Sequence, residues 1–204
     1  MRPLRVLVAC EFSGTVRDAF IAAGHDAISC DLLPSEKPGP HIQGDVLTEL
    51  EGMWGWFDLM IAHPPCTYLC SSGLHWNTRR PERQAHTDAA VAFVKALAAF
   101  PITRIAIENP IGCLSTRWRK PDQIIQPYQF GHDASKATCL WLKGLPPLLS
   151  TDMIAGRLVN GRQRWGNQTD SGQNKLGPSD DRWAKRAETY TGIASAMASQ
   201  WGTL

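Results

Sequence analysis

Asp58-Leu-Met-Ile-Ala-His-Pro-Pro-Cys-Thr-Tyr-Leu-Cys70 is the stretch around which the rest of the chain is arranged. Residues 57–62 are apolar throughout apart from Asp58, the pattern of a parallel strand covered on both faces. Pro64 and Pro65 then remove backbone donors and restrict the chain direction, so Cys66 is expected on a stiff turn at the carboxyl end of that strand. Open α/β sheets place their ligands at such ends. A free cysteine is by itself more often a small buried hydrophobe than a nucleophile, so Cys66 needs a second residue to give it meaning.

Glu108 is that residue. The run Arg-Ile-Ala-Ile-Glu over 104–108 reads as another buried strand, and Asn109-Pro110 is expected to halt it as Pro64-Pro65 halts the first. Two neighbouring parallel strands would then present Cys66 and Glu108 at one edge of a sheet.

The flanking sequence supports this layout. Residues 4–9 read as a first strand, Glu11-Phe-Ser-Gly14 as a loop, residues 15–23 as a helix closed by Gly24, and residues 27–30 as a second strand ending on Asp31. Strand, glycine-bearing turn, helix, strand and acid follow the order of a mononucleotide-binding half. Asp31 is thus either a ribose-binding carboxylate or an ordinary loop acid. Residues 32–43 are proline-rich and read as loop, Asp45 is a second acid after a turn, and residues 47–56 are short helix or coil.

The segment 71–80, carrying Trp76, Arg79 and Arg80, reads as a mobile loop over a substrate. Pro81 opens a helix to about Ala99 whose apolar face is Ala89, Ala90, Phe93, Val94, Leu97 and Ala98. Residues 124–132 are irregular, 138–142 are a late strand, and 156–182 are expected to be exposed or mobile. Residues 183–201 form a last helix with Tyr190, Ile193, Ala194 and Met197 as its buried stripe.

Composition bounds the function classes. The 204 residues, 43% apolar and 20% charged, are globular in type and long enough for one sizeable core, so a single domain over 1–204 is expected. The opening apolar run is too short for a signal peptide or a membrane span, which points to a cytoplasmic protein without membrane contact. Cysteines 10, 30, 66, 70, 113 and 139 are scattered, read as reduced thiols, and lack zinc-site spacing, so no metal is expected. Residues 1–60 hold four Lys and Arg against nine Asp and Glu, and the remainder seventeen against ten, a basic later region compatible with phosphate contacts.

A cysteine nucleophile beside an acid suits addition to an electron-poor ring, the thiolate attacking one carbon while the acid protonates or hydrogen-bonds a ring nitrogen. The neighbouring carbon then becomes nucleophilic and can take a methyl group from a sulfonium donor. An amidase also pairs Cys with Glu, with His63 as its base.

Pro64-Pro65-Cys66 and Glu108-Asn109-Pro110 resemble the catalytic motifs of the DNA cytosine-5 methyltransferase family, in which Pro-Cys supplies the nucleophile and Glu-Asn-Val the acid. Glu11-Phe-Ser-Gly14 is similar to its cofactor loop, and Gly192-Ile193-Ala194 to its terminal cofactor-contacting motif. Within the family the chain most resembles the short, phage-type members.

The resemblance implies an α/β, Rossmann-like S-adenosylmethionine-dependent methyltransferase fold with a mostly parallel sheet and helices on both faces. Cys66 would be the nucleophile and Glu108 the partner of cytosine ring nitrogen 3 and its amino group. Glu11, Phe12, Ser13, Gly14, Asp31, Asp45, Pro64, Gly192 and Ile193 would surround S-adenosyl-L-methionine, with Asp31 at the ribose and Asp45 near the adenine. Pro65, Asn109, Arg79, Arg80, Arg162 and Arg164 would face the substrate.

The chain departs from the family at Val16, where a second glycine is usual, and at Pro110, where valine is usual. In place of Gln-x-Arg-x-Arg it has only Arg162-Gln-Arg164. The interval before the last helix is short for a target-recognition domain. Duplex DNA, single-stranded DNA and a cytosine nucleotide therefore stay open as substrates, as does a non-catalytic nucleic-acid-binding regulator on the same scaffold. The stretches 74–80 and 157–175 are the candidates for nucleic-acid contact.

Overall fold

In the computed structural model the structure is described for residues 2–179, 186–187 and 189–204. Seven strands form one sheet: β1 (Arg5–Ala9), β2 (Asp26–Asp31), β3 (His41–Gln43), β4 (Leu59–Ala62), β5 (Arg104–Pro110), β6 (Gln123–Ile125) and β7 (Thr138–Lys143). Their spatial order is β3-β2-β1-β4-β5-β7-β6. The first five are parallel, and β7 runs antiparallel to both β5 and β6. From β1 the chain moves outward to β2 and β3, then returns to place β4 and β5 on the other side. The order therefore reverses between β1 and β4, and a crevice opens outside their carboxyl ends.

Strand alternation sorts the apolar side chains onto two faces. Val6, Val8, Leu59, Ile61 and Ala106 pack with Phe20 of the helix Thr15–Ala22 and with Ile193, Met197 and Trp201 of the helix Thr191–Trp201. Leu7, Ala9, Met60, Ala62, Ile105 and Ile107 pack with Val91, Val94 and Leu97 of the helix Glu82–Ala98. Because both faces are covered, β1 and β4 read as continuous apolar runs. Each fully buried aliphatic or aromatic side chain contributes roughly 1.5–3 kcal/mol.

Several elements differ from the sequence expectation. Residues 41–43, expected as loop, form β3, because Ser29 to Asp31 offer an open edge with which His41 to Gln43 can pair. Asn109 and Pro110 do not halt β5 but continue it opposite Cys139 and Thr138. Beyond Ile107 the strand has lost its β4 neighbour and is an edge there, where a sheet tolerates proline. The 71–80 segment is two short helical turns, Ser71–Leu74 and Trp76–Arg79, rather than a loop.

In the Glu82–Ala98 helix the buried stripe is Thr87, Val91, Val94 and Leu97, while Ala89 faces outward. Residues 157–164 form a hairpin, Arg157–Val159 with Arg162–Arg164. The last helix is Thr191–Trp201, preceded by an extended Tyr190; residues 183–185 and 188 of the expected helix lie outside the described residues. No helix among the described residues is long and apolar enough to cross a membrane.

Among the described residues, one charged side chain is wholly buried. Arg17, at 0% exposure, donates to the Ser29 and Ser35 hydroxyls and the Lys37 and Pro38 carbonyls, and pairs with Asp18. It thereby holds the 35–40 loop against the first helix. A Cβ on Gly39, whose φ is +148°, would stand 2.8 Å from the Arg17 guanidinium, which explains the glycine.

Candidate active site

Cys66 follows the two prolines after β4, and its carbonyl accepts the backbone N–H of both Leu69 and Cys70 at 3.0 Å. This turn is zipped to the segment after β5: Ser71 N donates to Ile111 O at 3.1 Å, and Cys113 N to Leu69 O at 2.8 Å. Gly112 lies so close to the Leu69 carbonyl that any side chain there would collide with it. Asn109 Nδ2 donates to Pro64 O at 2.7 Å and ties the end of β5 to the Pro-Pro turn.

These constraints gather Cys66, Glu108, His63, Pro64 and Pro65 around a cleft of about 320 Å³, whose other wall is the loop from Cys10 to Ser13. A second cavity of about 770 Å³ shares Cys66, Pro110, Lys136, Arg186 and Thr189 with the first and extends to Asn167, Asn174 and Lys175. A small recess of about 100 Å³ holds Asp31 and Asp45 with Cys10, Pro65, Val46 and Phe93.

Cys10, with a φ of +59°, lines both this recess and the 320 Å³ cleft. A left-handed non-glycine residue is strained, and such strain concentrates where backbone is shaped for a site.

Glu108 accepts a hydrogen bond from His63 Nδ1 at 2.8 Å, with side-chain exposures of 13% and 9%. Burial alone would raise the Glu108 carboxyl, but the bond and charge of His63 carry it below the usual carboxylate range. Burial works against a charged imidazole too, yet Glu108, helped by Glu11 and opposed by Lys136, raises His63 above its ordinary value. Both shifts favour the imidazolium and carboxylate form of the pair.

The two cysteines of the turn also act together. The hydrogen bond between them pushes the Cys66 thiol up, with burial and the Glu108 charge adding to the effect and Arg186 opposing it. The same bond draws Cys70 down to about 5 against burial, with help from Ser72 and the Gly73 N–H. The Cys66 thiol is thereby held up and Cys70 is the more acidic of the two.

The cofactor-side residues divide. Glu11, Phe12, Ser13 and Pro64 line the cleft. Glu11 is also occupied structurally: its carboxylate accepts Val16 N at 2.6 Å and Arg17 N at 3.2 Å, capping the first helix. Gly14, φ +70°, makes the turn into that helix. Asp31 accepts Leu33 N at 2.9 Å, and burial raises its carboxyl although this backbone bond opposes the rise. Asp45 caps the turn Val46–Glu49 by accepting Leu47 N.

Gly192 and Ile193 line neither cavity. Gly192 N donates to His132 Nε2 at 2.9 Å, and Ile193 is buried in the core.

Of the substrate-side residues, Pro65 and Asn109 are at the cleft. Arg79 and Arg80 instead flank the Trp76 ring, at 5.4 and 5.3 Å from its centroid. Arg162 and Arg164 sit on the hairpin, where Arg164 donates to the Asp170 and Gln163 carbonyls. The cations that line the cleft among the described residues are Lys136 and Arg186, joined through Lys136 Nζ to Arg186 O at 2.8 Å. Nothing local in the sequence singles out either one.

The fold is similar to that of solved structures. The Entamoeba histolytica methyltransferase EhMeth superposes with a TM-score of 0.50 at 13% identity, over 76% of this chain and 59% of that one. The S. pombe Dnmt2 methyltransferase gives 0.48 at 18% identity, over 72% and 51%. The fold is the Rossmann-like methyltransferase fold. The chain spans between about half and three-fifths of the length of these two structures. No protein-family model matches the sequence, and no curated relative matches it.

Proposed function

We propose that the chain is an S-adenosylmethionine-dependent cytosine-5 methyltransferase acting on DNA through a covalent cysteine adduct. The observation that carries this proposal is the placement of Cys66 and Glu108 in one cleft, at the carboxyl ends of adjacent parallel strands and beside the point where strand order reverses. A thiolate and a carboxyl group lining one cleft can act on two atoms of one flat ring.

The recess beside the cleft fits the cofactor. Asp31 and Asp45 offer carboxylates to ribose hydroxyls and the adenine amino group, while Val46 and Phe93 offer apolar surface to a purine. Cys10 joins this recess to the cleft. Bound there, S-adenosylmethionine supplies a methyl group on a cationic sulfur.

The chain's own side chains would do the rest. Cys66 adds to carbon 6 of cytosine, Glu108 holds ring nitrogen 3 and the amino group, and carbon 5 becomes electron-rich. The larger cavity, with Lys136, Lys175 and Arg186 on its walls, supports a phosphate-bearing strand as the substrate. Its junction with the cleft at Cys66 favours a single-stranded or extruded base over a stacked one.

The test is trapping. Incubated with the methyl donor and DNA containing 5-fluorocytosine, the wild type should form a covalent adduct and Cys66→Ala should not. Parallel reactions on duplex, single strand and nucleotide define the substrate. Absence of an adduct and of methyl transfer on all three overturns the proposal.

A further inference from the structure

We infer that His63 serves as the proton store for Glu108, holding the proton that Glu108 passes to ring nitrogen 3 of the target base. This inference rests on the cytosine-5 reaction proposed above and adds a positioning residue to it.

The geometry is specific. His63 is the residue between β4 and the two prolines, and its backbone N–H is fastened to Ala9 O at 2.9 Å. Nδ1 meets Glu108 Oε2 at 2.8 Å, and the ring lines the cleft. Nε2 is buried and has no hydrogen-bond partner among the described residues. The histidine therefore has one nitrogen committed to Glu108 and the other buried without a hydrogen-bond partner among the described residues.

Electrostatics favour the charged ring. Glu108 and Glu11 face it with negative charge, with Asp31 within influence from the end of β2, while Lys136 opposes them. Cys10, Cys66 and Arg186 line the same cleft.

A carboxylate cannot deliver a proton it does not hold. In the imidazolium and carboxylate form of this hydrogen-bonded pair, the proton stands on Nδ1. When the Cys66 sulfur bonds to carbon 6, the displaced ring electrons reach nitrogen 3, which takes a proton from Glu108 as Glu108 takes the Nδ1 proton. His63 ends neutral and no charge is created in the ring. After carbon 5 takes the methyl group, loss of the carbon 5 proton to water expels the Cys66 thiolate and restores the 5,6 double bond, and the nitrogen 3 proton returns by the same route, so the histidine is restored within the turnover.

The test compares wild type with His63→Asn, whose amide keeps a neutral donor toward Glu108, and with His63→Ala plus added imidazole. In single-turnover methylation, the wild-type rate should fall as pH rises through the raised His63 value. His63→Asn should be slower by on the order of 10²-fold and lack that alkaline limb, and imidazole should recover part of the His63→Ala rate. In ¹³C-histidine NMR of the protein without substrate, one ring should titrate above the ordinary value of about 6.5 and move downward in Glu108→Gln. An active wild type with an Asn variant that keeps both rate and alkaline limb overturns this inference alone. A wild type with no adduct and no transfer on any substrate overturns it together with the cytosine-5 proposal.

Discussion

Asn109, the residue immediately after Glu108, gives its side-chain amide to the carbonyl of Pro64 at 2.7 Å in a fully buried bond. The strand end that carries the acid thus holds the turn that carries Cys66. Asn109→Ala leaves the Pro64 carbonyl without that donor and should cost about 1–3 kcal/mol of stability. Adduct formation at Cys66 should slow in the same variant, while cofactor affinity holds. Chemical denaturation and adduct kinetics check the two halves separately.

The His63–Glu108 pair predicts a pH window for stability. Glu108 is held low in the folded chain, so its contribution is present above the ordinary Glu value of about 4.3 and lost as pH falls through its depressed value. His63 is held high, so its contribution is present below about 6.5 and lost as pH rises through its raised value. The stability difference between wild type and Glu108→Gln should therefore form a dome over pH. Urea unfolding at a series of pH values measures it, and a flat difference would contradict the ion pair.

Glu11 separates a structural task from a cofactor task. Its carboxylate caps the first helix through Val16 N and Arg17 N, so Glu11→Ala should destabilise the protein by about 1–2 kcal/mol with no cofactor present. Thermal unfolding without the methyl donor reports this. Unchanged unfolding would show that the cap is energetically idle.

Asp31 is expected to act on binding and not on chemistry. Removing its carboxylate in Asp31→Ala should weaken S-adenosylmethionine binding by roughly 10- to 100-fold, the scale of hydrogen bonds to a charged group. Calorimetry measures it directly. Since burial raises the Asp31 carboxyl, binding should also weaken as the pH is lowered through that raised value, and equal affinity in the variant would move the ribose elsewhere.

Much of the fold was legible locally. The apolar runs at β1, β4 and β5 declare strands buried on both faces, and Pro64-Pro65 declares where one of them stops. Strand β3 was not legible, because three residues acquire strand geometry only by pairing with β2. Pro110 misled for a related reason: whether a proline ends a strand depends on which neighbour is missing its partner, and that is a property of the sheet. The buried arginine at position 17 gave no local sign of its role either, since its side-chain partners lie between 12 and 21 residues away apart from Asp18.

Taken by itself, the sequence determined that this is an α/β chain with a rigid Pro-Pro-Cys turn and an acid on a neighbouring strand end, because hydrophobic period and proline sterics act over a few residues. Only the tertiary structure decided that His63 hydrogen-bonds to Glu108, that Cys66 and Cys70 shift one another's acidity, and that Lys136 and Arg186 rather than the four singled-out arginines line the cleft. Those relationships join positions far apart in the chain, apart from the Cys66 and Cys70 turn. They arise from burial and electrostatics that exist only once the strands have met.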